Sequence, residues 1–233
     1  MNYIYTECKL PSNGKIYEKP QVVHIRPKTI FDIKTILNNP VYMIKSEIDA
    51  LQNCIDPRDN INVYDLVNQD VVYLLYMLRS MSDDCLTLEI KNKQYPIKIS
   101  ELEVEYLENW DNEIELPESK IKVILDYQPI RNIFNMEQQK QEFMTKYPDY
   151  NGDALNTISL LNSIASIDNM TNKDHVRTKL EQLSWKDSIY LINEIEKLNN
   201  SVFGIKEEVI LNIDGKDEVI PLKITEAFFR PSI

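Results

Sequence analysis

Apolar and polar positions follow two different periods along the chain. Val23 and Ile25 share one side and His24 and Arg26 the other, which predicts a short strand over 22–25 that Pro27 ends. Thr29 is placed to cap a helix running to Leu37. Pro40 suits the first turn of a second helix, in which Val41, Ile44, Ile48, Leu51 and Ile55 form one stripe, and Asp56-Pro57 closes it. A third helix, over 67–81, is apolar almost all round and is expected at the buried centre of its half. Strict alternation then predicts a hairpin over 86–99, turning at Asn92-Lys93, and a strand over 120–125. Helical spacing returns from Pro129 to Tyr147 and over 153–167. Ser184-Trp185-Lys186-Asp187 resembles a capping box at the head of a helix ending near Asn200. A second hairpin over 209–224 turns at Asp214-Gly215.

The elements recur in order. Asp70-Val-Val-Tyr73-Leu-Leu75 matches Asp187-Ser-Ile-Tyr190-Leu-Ile192, and Pro96-Ile-Lys98-Ile-Ser-Glu101 matches Pro221-Leu-Lys223-Ile-Thr-Glu226. Arg26-Pro27 with Phe31 corresponds to Gln128-Pro129 with Phe134. The fold expected is α+β, built of two pseudo-repeats, each helical with short antiparallel hairpins. Residues 1–20, without a period and holding Pro11, Gly14 and Pro20, are expected as an extended arm. The first repeat takes 21–101, an acidic connector 102–120, and the second repeat 121–233 with a Phe-Phe tail.

Charge and composition narrow the function by exclusion. A net charge of −11 over 233 residues argues against a nucleic-acid-binding protein, whose contacts need a basic face, and against anionic membrane surfaces. No apolar run approaches the ~20 residues of a membrane span, and the N-terminus has no signal-peptide core, so synthesis in the cytoplasm is expected. Cys8, Cys54 and Cys85 are far apart, and neither His24 nor His175 lies near a second ligand, so no metal site and no cofactor is expected. Glycines at 14, 152, 204 and 215 make no phosphate-binding loop. The Asp83-Asp84 pair and the eight acids of 101–118 read as a turn and a solvated face. Asp70 and Asp187 read as helix-start acids, His24 with Arg26 as a surface pair, and His175 as part of a polar loop.

Two terminal segments combine aromatics with restricted backbone: Leu10, Pro11, Ser12, Gly14 and Tyr17 near the start, and Phe228, Phe229, Arg230 and Pro231 near the end. Each either packs on its own domain or docks on a partner, a role that aromatics and arginine favour. Trp110, within the acidic stretch, joins them as a partner-binding residue.

The succession Leu10-Pro-Ser-Asn-Gly-Lys-Ile-Tyr17, Val22-Val-His-Ile-Arg-Pro-Lys-Thr29, Leu51-Gln-Asn-Cys-Ile55 and Asn68-Gln-Asp-Val-Val-Tyr-Leu-Leu-Tyr-Met-Leu-Arg79, closed by hairpins and Phe228-Phe229-Arg230-Pro231, resembles the T-even-type phage baseplate protein family. Those proteins belong to the central baseplate hub of contractile-tailed phages or to its assembly pathway. The resemblance covers nearly the whole chain and rests on the order of the motifs. It implies a structural component of the tail baseplate, not an enzyme, that binds hub or wedge proteins, with tail tube or tape-measure proteins as further partners. It places the protein in the host cytoplasm during assembly and then in the virion. The alternative is a transient assembly chaperone, and a remote one a carboxylate-dependent hydrolase. Many family members carry CxxC pairs in the hairpins. Here Leu88-Glu-Ile-Lys-Asn-Lys93 and Leu211-Asn-Ile-Asp-Gly-Lys216 stand instead, which implies turns that fold without metal.

Overall fold

A computed structural model describes residues 3–17, 22–37, 43–199, 203–206 and 208–222. The predicted helix start at Pro40, the end of the second hairpin at 223–224 and the Phe228–Pro231 tail lie outside these. The fold is α+β, and every strand pairing among the described residues is antiparallel. The chain divides into two compact units, one of residues 1–108 together with 202–233, the other of 109–201.

In the first unit β1 (Thr6–Lys9) pairs with β2 (Val22–Ile25), in register Cys8 with Val23. The expected free arm therefore enters the fold from Thr6 onward, because Cys8 and Leu10 give it two fully buried side chains. Helices α1 (Ile30–Leu37) and α2 (Met43–Cys54) follow. The backbone leaving α2 runs along β2: Arg26 N donates to Cys54 O at 2.9 Å and Asp56 N to His24 O at 2.8 Å. Helix α3 (Asn68–Ser80) buries Val71, Leu74, Leu75 and Leu78. The hairpin of β3 (Cys85–Ile90) and β4 (Lys93–Lys98) turns at Lys91-Asn92, one residue earlier than the alternation suggested, with φ of 53° and 61°. Positive φ at both loop positions matches the right-handed twist of paired strands. A 3₁₀ turn (Ile99–Glu101) and β5 (Val104–Glu105) follow, so the acidic stretch is partly built into the sheet structure.

The second unit begins with β6 (Glu113–Glu115) paired to β7 (Lys122–Leu125). The helical stretch after Pro129 breaks at Asn135 into α4 (Ile130–Phe134) and α5 (Met136–Lys146). Helix α6 (Ala154–Asn162) is capped by Asp153, whose Oδ1 accepts from Asn156 N. The expected helix does not continue to 167. Residues Ile164–Ile167 form β8 against the free edge of β7, which satisfies their backbone while burying Ile164 and Ile167 completely. Helix α7 (Lys173–Glu181) contains His175, which is therefore helical rather than in a loop. Helix α8 (Trp185–Asn199) starts with Ser184 Oγ accepting from Asp187 N at 3.1 Å, half of the predicted capping box.

The chain then returns to the first unit. β9 (Gly204–Ile205) pairs with β5 and packs on α3. Gly204 sits at φ +113°, and a Cβ there would lie 3.3 Å from Gln69 Cβ, so both backbone and space call for glycine. The hairpin of β10 (Glu208–Ile213) and β11 (Lys216–Pro221) turns at Asp214-Gly215, φ 52° and 83°, as read from the sequence.

Each half thus runs antiparallel strands, helices, a helix with aspartate in its first turn and a two-residue hairpin, and the second half differs by adding β8 as a third strand and β9 before its hairpin. The parallel extends to detail. Val23 and Ile25 are buried as are Val123 and Leu125, and the Arg26–Cys54 bond has its counterpart in Asp126 N to Ser163 O at 3.0 Å.

Candidate functional site

The segment singled out near the N-terminus is a turn locked from within. Leu10 and Ser12 are fully buried, Pro11 is buried, and Gly14 and Tyr17 are half-buried. Asp70, in the first turn of α3 and itself fully buried, accepts from Ser12 N through Oδ1 and from Tyr17 Oη through Oδ2, both at 2.9 Å. Tyr17 Oη in turn accepts from Val67 N at 2.7 Å, and Leu107 N donates to Pro11 O at 2.8 Å. Leu10, Pro11 and Ser12 are thereby removed from a docking surface, because the fold buries their side chains and engages the Ser12 amide and the Pro11 carbonyl.

The second unit repeats the device. Asp187, buried in the first turn of α8, accepts from Glu118 N at 2.8 Å and Ser119 N at 3.0 Å, in a turn that follows the fully buried Leu116. Sequence reasoning missed this, although Leu116-Pro117-Glu118-Ser119 echoes Leu10-Pro11-Ser12. The carboxylate of Asp187 serves the loop, so it does not close the capping box. Burial pushes the Asp70 carboxyl above its ordinary range, and the bonds from Ser12 and Tyr17 recover part of that. At Asp187 burial also pushes upward, but the amides of Glu118 and Ser119 outweigh it and the carboxyl lies below the ordinary range.

The other residues considered divide similarly. Trp110 is half-buried and stacks on Tyr127 with ring centroids 4.7 Å apart. Phe228, Phe229, Arg230 and Pro231 lie outside the described residues. Arg26 is not a surface partner of His24. It is buried, bonds Asp32 at 2.8 Å and donates to Asn53 O at 2.8 Å, while His24 Nδ1 meets Asp59 at 3.1 Å. Asp83 pairs with Arg79 at 2.9 Å, and Asp84 accepts from Ser100 N and Oγ. Among the described residues no group of three His, Cys, Asp or Glu side chains is placed to hold a metal ion, and no helix is long and apolar enough to cross a membrane.

Exposed apolar side chains mark the surface instead. Ile30 and Phe31 stand out at the start of α1, with Phe31 76 % exposed, and Ile133 and Phe134 are exposed at the end of α4. On α8, Trp185 is 81 % exposed and shares a face with Ile189 and Ile192. On the second hairpin, Ile210 and Val219 are cross-strand partners, 71 % and 59 % exposed. A cleft of about 850 Å³ lies within the first unit, lined by both hairpins and the chain at 101–103. At the hairpin tips Lys93 reaches Asp214 at 2.7 Å and Lys91 reaches Glu218 at 3.8 Å. No family model, curated protein or solved structure matches this chain.

Proposed function

We propose that the protein is a structural component of a contractile phage tail baseplate that binds hub or wedge proteins during tail assembly. Its work is binding and placement, not catalysis. The observation that carries the binding role is the recurrence of an exposed Ile-Phe pair at the first helix after the Pro of each half, Ile30-Phe31 and Ile133-Phe134. Large apolar side chains held outward on ordered helices lose little entropy on docking and are typical anchors of interfaces. Two such anchors on one chain suit a piece that joins neighbours. The assignment to baseplates rests on the order of motifs from Leu10 to Pro231.

Peptide mass spectrometry of purified particles tests it. A fixed stoichiometry in tails supports the component. Absence from particles, with tails failing when the protein is removed, turns the reading to a transient assembly chaperone. Ile30→Ser with Ile133→Ser is expected to leave a folded protein that enters tails at least ten-fold less efficiently. Unchanged incorporation refutes the role given to these anchors.

A further inference from the structure

Helices α3 and α8 hold matching places in their halves. Each fixes a loop through an aspartate in its first turn, Asp70 or Asp187, and from these aspartates the two helices align residue by residue. Their core sides agree: Leu74 and Leu78 match Leu191 and Ile195, and all four are buried. Their outer sides differ. Leu75 is 5 % exposed and its counterpart Ile192 36 %. Tyr76 and Arg79 are buried, whereas Asn193 and Glu196 are exposed. In the first unit β9, with the buried Phe203 before it, lies on α3 and sets Gly204 against Gln69. Val72 and Tyr76, three and seven residues on from Gln69, share its face. On α8 the same face falls to Lys186, Ile189 and Asn193, and all three are exposed. A groove of about 590 Å³ adjoins them, lined by Tyr190, Asn193, Glu194, Glu196 and Lys197.

The cover on α3 states what such a face accepts. Gly204 comes too close to Gln69 for a Cβ, and its φ of +113° suits glycine alone, while Phe203 and Ile205 on either side are buried. The chain has this pattern once. Its other glycines are flanked by polar residues, Asn13 and Lys15, Asn151 and Asp153, Asp214 and Lys216, and residues 223–233 hold no glycine. Neither the chain's own end nor a second copy therefore has a spare segment of this kind. Charge narrows the occupant further. Where α3 has Arg79, α8 has Glu196, in the last turn, where the helix dipole adds negative charge. Lys186 faces Glu118 at 3.9 Å and Lys197 faces Glu194 at 2.5 Å, and among the described residues no cation is paired with Glu196.

We infer that the outer face of α8 docks an extended segment of a partner protein in which glycine stands between two large apolar residues and a lysine or arginine follows at a distance. The glycine lets the segment approach the helix at Lys186. The apolar residues cover Ile189 and Ile192, with the exposed Trp185 as the anchor at the head of the helix. The cation meets Glu196. Lys186 and Glu196 are ~15 Å apart along the helix, and an extended chain advances ~3.3 Å per residue, so the cation belongs about four residues from the glycine. The inference rests neither on the baseplate assignment nor on the anchors at Ile30 and Ile133.

The test uses the purified full chain, labelled for NMR, and the capped peptide Lys-Thr-Val-Phe-Gly-Ile-Thr-Val-Lys, whose two lysines serve either direction along the helix. Expected are saturable shifts at the amides of Ile189, Ile192 and Asn193, and none along α3, where β9 already sits. Valine in place of the peptide's glycine should weaken binding at least ten-fold, and Glu196→Lys in the protein at least three-fold. Ile189→Asp should weaken it at least ten-fold, and Trp185→Ser, at a more exposed position, gives the same reading if the first variant does not fold. Absence of shifts on α8, or equal binding of the valine peptide, overturns the proposal. Deletion of residues 223–233 that moves the same α8 amides assigns the face to the chain's own end. A concentration-dependent dimer in light scattering that Ile189→Asp dissociates assigns it to a second copy, and either result also overturns the proposal. Particle composition, measured separately, bears on the baseplate assignment alone.

Discussion

Removing the Asp70 carboxylate should show how strongly the N-terminal turn depends on it. In Asp70→Ala the Ser12 amide, in a fully buried residue, loses its acceptor, and the Tyr17 hydroxyl loses the group it donates to. A buried donor left unsatisfied costs about 1–3 kcal/mol. Relief from burying a charge offsets part of the total, so a net loss of about 2–4 kcal/mol is expected. Asp70→Asn keeps the shape and one acceptor for Ser12, while Tyr17 Oη can take an amide hydrogen on its remaining lone pair, so its cost should be under about 1.5 kcal/mol. Urea denaturation of the three proteins at neutral pH measures both. The carboxyl of Asp70 is raised in the fold, so the folded state holds the proton over a range where the unfolded chain has released it. The stability of the parent relative to Asp70→Asn should therefore fall as pH rises from the ordinary carboxylate value through the raised one, then level off. Asp187 is lowered, so its contribution should be present above the ordinary value and be lost as pH falls through the lowered one. A loss below about 0.5 kcal/mol for Asp70→Ala, or pH trends of the same sign for both aspartates, would refute the reasoning.

Gly215→Val should destabilise the second hairpin by on the order of 1–2 kcal/mol through its positive φ alone, since a Cβ there meets nothing within 4 Å, and a melting curve overlaying the parent's contradicts this. Arg26→Met leaves the buried Asp32 carboxylate without its cation, with only the Thr29 amide and hydroxyl still donating to it, and should cost about 3–5 kcal/mol in urea titration, with Arg26→Met and Asp32→Asn together recovering part of the loss. Burial pushes the thiols of Cys8 and Cys54 up to about 12, whereas Cys85 is exposed. A disulfide reagent at neutral pH should therefore titrate one thiol in the native protein and three in denaturant, and fast reaction of a second native thiol contradicts the burial.

Much of the secondary structure was legible because it is written in local terms. Alternation in Leu86–Ile90 and the Asp214-Gly215 turn specify hairpins through side-chain period and φ preference, and both lie within a few residues. What failed depends on distant partners. Ile164–Ile167 carries spacing compatible with a helix, and it is the free edge of β7, some 40 residues away in sequence, that makes it a strand. The Leu10–Tyr17 segment has little apolar content of its own, so it read as an arm. Its order comes from a carboxylate at position 70. Arg26 read as a surface residue because charge is usually outside, yet it is buried against Asp32. The exposed Phe31, Trp185 and Ile210 could not be told from core residues by sequence, since hydrophobicity marks a residue for burial without saying whether its own chain supplies the cover.

The division of the chain also orders its birth. The first unit needs β9, β10 and β11, which follow the whole of the second unit in sequence. At ~5–20 residues per second a ribosome takes about 5–20 s to make the intervening stretch. Throughout that interval β5 lacks β9, and α3 lacks the strand that packs on it. The second unit is continuous and can be finished first, although it is made later. The earliest-made half is thus the last to close, with apolar surface of α3 waiting in the open, and a ribosome stalled near codon 200 leaves the first unit incomplete beside a second unit already made.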